Sequence, residues 1–94
     1  MNVLAQLEEV LRERRDGPAP EGSYAVTLVR DPERAARKIM EESFELCLEL
    51  GRPVVDARRA AEEAADVLFS LLAGLVGAGV ELDAVLEELA KRRR

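Results

Sequence analysis

At 94 residues, with 48% apolar and 3% aromatic side chains, the chain can bury one small core, and leucine, valine and alanine have to build it. A net charge of −5, from 14 basic and 19 acidic side chains, excludes a general nucleic-acid binder, because phosphate-backbone affinity comes from lysine and arginine. The absence of histidine excludes every mechanism that uses imidazole as base or metal ligand.

The first periodic segment runs from residue 2 to about residue 15, with Asn2 as cap and Leu4, Leu7 and Leu11 three and four apart on one face. It stops at the breaker cluster Asp16-Gly17-Pro18-Ala19-Pro20-Glu21-Gly22. Residues 23–29, Ser-Tyr-Ala-Val-Thr-Leu-Val, are too short and isolated for a sheet, so an ordered and partly extended loop is expected there. Asp31-Pro32 then opens a second helix that reaches Leu50 and ends at Gly51. A third starts near Asp56 and continues to about residue 76, and its apolar character from Ala64 onward makes it the expected central helix. The last begins at Asp83 and ends in Lys91-Arg92-Arg93-Arg94, a basic end that complements the helix dipole. The expected fold is therefore a single all-α domain over residues 1–94, a bundle of four main helices with antiparallel neighbours where connections are short.

Cys47, the one cysteine, can form no intramolecular disulfide, which fits a cytoplasmic location; its place on the apolar arc predicts a small buried side chain. Charged residues interrupt the N-terminal segment, so no secretory signal is expected. The longest apolar run, residues 67–80, is shorter than the ~20 residues a bilayer span needs, so no membrane partner is expected.

Against this background the acids of the middle helices stand out. On the second helix Ala36, Ile39, Ser43, Cys47 and Leu50 define an apolar arc, and Lys38, Glu42, Glu45 and Glu49 form a stripe about 60° wide along its edge. Glu41 lies farther round, and Glu49 and Glu62 are expected at the surface or behind the site. On the third helix Glu63 and Asp66 share a side with Val67, Ser70 and Gly74. If the two helices form a hairpin, Glu42, Glu45, Glu63 and Asp66 face one another. Four such carboxylates repel unless a cation joins them, and an all-oxygen set suits magnesium, with manganese second. Lys38 is placed to meet a phosphate, or to pair with Glu42 along its own helix.

The pattern Glu41-Glu42-x-x-Glu45, seventeen residues, then Glu63-x-x-Asp66 resembles the metal signature of the all-α MazG-type nucleoside triphosphate pyrophosphohydrolases. Within that superfamily the chain is similar over nearly its whole length to the phosphoribosyl-ATP pyrophosphatase family. The shared features include Gly22-Ser23-Tyr24, Lys38 before the paired glutamates, and Glu63-Ala64-Ala65-Asp66-Val67-Leu68-Phe69. It departs from the family pattern at Ala25, where threonine is usual, and at Phe69-Ser70, where Tyr-His is usual.

The resemblance implies magnesium-dependent hydrolysis of phosphoribosyl-ATP to phosphoribosyl-AMP and pyrophosphate in histidine biosynthesis, by a homodimer. Glu42, Glu45, Glu63 and Asp66 would be the metal ligands, Glu41 or Glu42 the base, and Lys38, Ser23 and Tyr24 the substrate contacts. The alternatives are a housekeeping pyrophosphohydrolase of ordinary or damaged nucleoside triphosphates, and a non-catalytic helical adaptor whose acids are only surface.

Overall fold

The computed structural model describes residues 2–93. Arg94, the last residue of the basic tail, lies outside them. Five helices follow one another: α1 (Val3–Asp16), α2 (Tyr24–Val29), α3 (Pro32–Leu50), α4 (Ala57–Gly77) and α5 (Leu82–Lys91). Among the described residues there is no strand, so the all-α expectation holds with one helix more than the periodicity disclosed.

Polar caps set most of the starts. The Asn2 side chain accepts from the Ala5 N–H at 2.9 Å, Asp31 from Arg34 at 3.1 Å, and Asp56 from Arg58 and Arg59 at 3.1 and 3.2 Å. Helix α5 has no local side-chain cap. Its first N–H, at Leu82, instead donates to Glu8 Oε2 of α1 at 2.7 Å, so a distant glutamate does the capping.

Helix α2 corrects the expected loop. Ser23 caps it, its Oγ accepting from the Val26 N–H at 3.4 Å. Six residues cannot hold a helix alone, because nucleation costs more than one turn returns. What stabilises it is burial of Leu28 and Val29 against α4, at about 1.5–3 kcal/mol per side chain.

Helix α4 is central, as expected: Leu72, Ala73 and Val76 join Leu11, Leu28, Val29 and Leu82 in the core, and α1, α2 and α3 all pack on it. No single helix among the described residues is long and apolar enough to cross a membrane. Helices α3 and α4 form an antiparallel hairpin through the short turn at residues 51–56, with Glu42 opposite Ser70 and Glu49 opposite Arg59.

The orientation of α3 differs from the apolar-arc expectation. Its buried residues are Ala35 and Glu49, with Ile39, Glu42, Ser43 and Leu46 half-buried, so Glu42 and Glu49 of the acidic stripe face α4 while Glu45 is exposed. Ala36, Cys47 and Leu50 are exposed, and Met40 and Phe44 are 74% and 65% exposed. The physical reason is packing against α4. Small Ala35 and half-buried Ile39 meet the backbone at Gly74, which turns the carboxylates inward and the larger apolar residues out.

Candidate active site

The hairpin brings the sequence-predicted acids of two helices to one side of the bundle. Ser70, itself buried on α4, donates its hydroxyl to Glu42 Oε1 and fixes that carboxylate against the helix. One and two turns nearer the α4 N-terminus lie Asp66 and Glu63, with Glu45 close enough for its charge to act on Glu63. The mutual field is strong enough to be felt. Burial and the neighbouring charges of Glu45, Asp66 and Glu49 push the Glu63 carboxyl above the ordinary range, and Arg59 offsets this only in part. Glu63 Oε2 is shielded from solvent and has no hydrogen-bond partner among the described residues.

Beside it a cavity of about 330 Å³ is lined by Arg59, Glu62, Glu63 and Asp66. A larger open depression of about 550 Å³ at the end of α1 mixes the cations Arg12 and Arg14 with the acids Glu13 and Asp16, and two of these are paired locally, Arg12 with Glu8 and Asp16 with Arg15.

The donor set suits a hard divalent ion. A buried, unsatisfied carboxylate oxygen amid three further acids is costly unless something cationic meets it. Among the described residues no three of these side chains are drawn close enough to enclose an ion by themselves. Magnesium keeps several of its waters, so it does not require a full protein cage.

The other predicted residues take distinct places. Glu41 is exposed and meets Lys38 Nζ at 3.9 Å, so the lysine pairs with Glu41 rather than with Glu42. Ser23 sits at the start of α2 as its cap. Tyr24 stacks on Phe69 with ring centroids 6.3 Å apart and planes 14° from parallel, which joins α2 to the helix that carries Glu63 and Asp66.

Glu49 departs most from expectation. It is buried, with Arg52 donating to both its oxygens at 3.0 and 3.2 Å and Arg59 at 3.6 Å. The sequence signal was there: Glu49 continues the stripe of Glu42 and Glu45. Arg59 was also missed, although it precedes Glu63 by one turn as Lys38 precedes Glu42.

Two consequences are measurable. Removing the Ser70 hydroxyl in Ser70→Ala leaves Glu42 without its anchor; with Glu42 as a metal ligand, the magnesium concentration needed for half-maximal activity rises about 10–100-fold. Titrating magnesium against activity checks this. For Glu63, whose folded pKa is raised, the stabilisation is complete below the unfolded carboxylate value and is lost as pH rises through the folded one. In chelator, the wild-type Tm therefore falls as pH rises above the ordinary carboxylate range. Glu63→Gln flattens that fall, as thermal scans across the same pH range will read.

A family model described as phosphoribosyl-ATP pyrophosphohydrolase matches residues 4–93. A protein of Methanosphaerula palustris named phosphoribosyl-ATP pyrophosphatase is 41% identical over 95 residues, covering 98% of this chain and 93% of its own. One of the same name from Cereibacter sphaeroides is 42% identical over 93 residues, covering 98% and 87%. The histidine biosynthesis bifunctional protein his7 of Schizosaccharomyces pombe is 36% identical over 91 residues, which span 97% of this chain and 20% of that one. A match of this extent shows that the chain belongs to the phosphoribosyl-ATP pyrophosphohydrolase family.

Proposed function

We propose that the chain hydrolyses phosphoribosyl-ATP to phosphoribosyl-AMP and pyrophosphate in histidine biosynthesis, with magnesium held by Glu42, Glu45, Glu63 and Asp66. The observation that carries the metal assignment is the shielded, unpartnered Glu63 Oε2 among acids of both helices. A bound dication supplies charge neutralisation at the phosphate oxygens and easier deprotonation of the attacking water; manganese fits the same oxygen set.

The chain's own groups do the rest. Glu42 is held on one oxygen by Ser70, so its other oxygen serves either as a metal ligand or as the base that takes the proton of the incoming water, and in the second case the metal is left to Glu45, Glu63 and Asp66. Glu41, exposed and facing Lys38, is the less well placed of the two base candidates. Lys38 offers a cation to the polyphosphate from the α3 side once it leaves Glu41, an exchange that costs little for an ion pair near the surface. Ser23 and Tyr24 approach from α2, where the half-exposed Tyr24 ring offers an edge to base or ribose while its face rests on Phe69.

The test is pyrophosphate release from phosphoribosyl-ATP against a panel of nucleoside triphosphates, with and without magnesium. Preference for phosphoribosyl-ATP with an absolute magnesium requirement upholds this function. Preference for a free triphosphate replaces it with the housekeeping activity. No release from any of them, with no magnesium-dependent rise in Tm, leaves the helical adaptor.

The working form is a homodimer. The radius of gyration is 14.5 Å, against about 12 Å for a compact chain of this length, so the lone chain is extended. Its surface carries the apolar α3 ridge Met40, Phe44 and Leu48. A second apolar patch is formed by Leu68, Leu71, Leu86 and Leu89 on α4 and α5. Covering such faces with a second copy removes apolar area from water, and residues of that copy complete the site. Phe44→Glu combined with Leu48→Glu converts the sedimenting species to monomer at micromolar concentration and lowers activity at least about tenfold. A wild-type chain that sediments as a monomer overturns the assignment.

A further inference from the structure

We propose that Arg59 is a phosphate-binding residue of the acidic pocket, held at its rim by the buried Glu49, with a magnesium polyphosphate as its ligand. The assignment rests on the pyrophosphatase function proposed above and adds to it a residue that spacing alone did not single out.

Glu49 is 5% exposed and Arg52 already satisfies it: Nε donates to Oε1 at 3.0 Å and Nη2 to Oε2 at 3.2 Å. That pairing alone neutralises the carboxylate. Arg59 approaches the same Oε2 at 3.6 Å, an electrostatic contact without a hydrogen bond, so its N–H groups remain free to donate. The side chain is 60% exposed and forms part of the wall of the cavity that holds Glu62, Glu63 and Asp66. Glu49 therefore aims Arg59 without consuming it.

A pocket walled by carboxylates repels a triphosphate ester even with one dication in place. Guanidinium is the group best suited to close that gap, because its planar donors match two phosphate oxygens at once and it stays charged at all working pH values. The arrangement also has an internal counterpart. Lys38 lies one turn before Glu42 on α3, and Arg59 lies one turn before Glu63 on α4. Because the helices are antiparallel, the two cations sit at opposite ends of the acids. That spacing can grip both ends of a polyphosphate laid along the hairpin. If Glu49 served stability alone, an apolar side chain of similar volume would do as well or better there, since burying a carboxylate is costly even when paired.

The experiment uses the full chain with saturating magnesium and compares Arg59→Met, Arg59→Lys, Glu49→Gln and, as control, Arg58→Met, whose exposed side chain makes no ion pair among the described residues. For Arg59→Met the KM for phosphoribosyl-ATP and the inhibition constant of pyrophosphate both rise about tenfold or more, with kcat within about threefold. Arg59→Lys recovers part of each, Glu49→Gln moves both in the same direction by less, and Arg58→Met moves neither.

A fall in Tm for Arg59→Met with both constants within twofold overturns the proposal, because it makes the arginine only a tether between helices. If the wild-type chain turns out not to hydrolyse phosphoribosyl-ATP, the proposed function fails. Calorimetric binding of magnesium pyrophosphate then decides Arg59 separately. A tenfold loss in Arg59→Met upholds it; equal affinity, or no binding to wild type, overturns it.

Discussion

Glu45→Gln and Asp66→Asn each lower phosphoribosyl-ATP turnover by about 10²–10³-fold, while the thermal transition of the metal-free protein holds or rises. The two effects have opposite signs for one reason. Asp66 lines the pocket and Glu45 lies near enough for its charge to act on Glu63; both are exposed and make no hydrogen bond or ion pair with other described residues, so their amides cost the fold little, within about 0.5 kcal/mol. Each also removes a negative charge that acts on Glu63, which relieves repulsion in the empty pocket. The same loss of charge deprives a dication of an anionic ligand and leaves the phosphate oxygens less well neutralised. A purely structural role predicts the reverse pattern, with lost stability and retained activity. Measuring kcat at saturating magnesium together with Tm in chelator separates the two. Activity above about a third of wild type in both variants removes Glu45 and Asp66 from the site.

How far this arrangement could be read from the sequence depended on which interactions were local. The caps Asn2 and Asp31 lie beside the N–H groups they accept from and are legible as caps, and Asp56 marks the start of its helix for the same local reason. A helix fixes which residues share a side, so the sides that carry Glu42 and Glu45 on α3 and Glu63 and Asp66 on α4 were readable; how closely the four approach was not, and among the described residues no three of them are near enough to enclose an ion. Helix α2 was not readable in that way. Six residues hold less than two turns of periodicity, and their helical state depends on Leu28 and Val29 being buried by α4. The rotation of α3 was misjudged for a related reason. The apolar arc is expected to face the core, yet only Ile39 and Ser43 of it are half-buried while Met40, Phe44 and Leu48 stay at the surface, because small Ala35 rather than a large apolar residue meets α4. Cys47 follows the same rotation and is exposed. Glu49 looked like a surface acid because one of its cations lies beyond the helix end and the other across the turn.

Gly77→Ala destabilises the protein by about 2 kcal/mol net, lowering Tm by roughly 8–16 °C. In sequence Gly77 looks like a helix terminator, but it is still helical, and the turn that reverses the chain falls at Gly79 with φ 76°. What Gly77 provides is a close approach. A Cβ there would stand 2.5 Å from the Val29 carbonyl oxygen, which belongs to the last residue of α2. Backbone cannot rotate aside as a side chain can, so either α2 or the end of α4 has to move. Both are constrained: Val29 and Val76 are buried, and the Val76 carbonyl accepts from Arg15 Nη1 at 2.8 Å. Overpacking of this kind costs about 3 kcal/mol, from which about 1 kcal/mol of improved helix propensity is recovered. Gly74→Ala is the matched control. Its Cβ would meet the Ile39 Cδ1 at 3.3 Å and the Ala35 Cβ at 3.6 Å, and the isoleucine can yield, so propensity and crowding nearly cancel. Thermal denaturation at fixed protein concentration distinguishes the two glycines. Displacing α2 also moves Ser23 and the Tyr24–Phe69 stack, so Gly77→Ala raises the KM for phosphoribosyl-ATP even below its melting range, and Gly74→Ala does not.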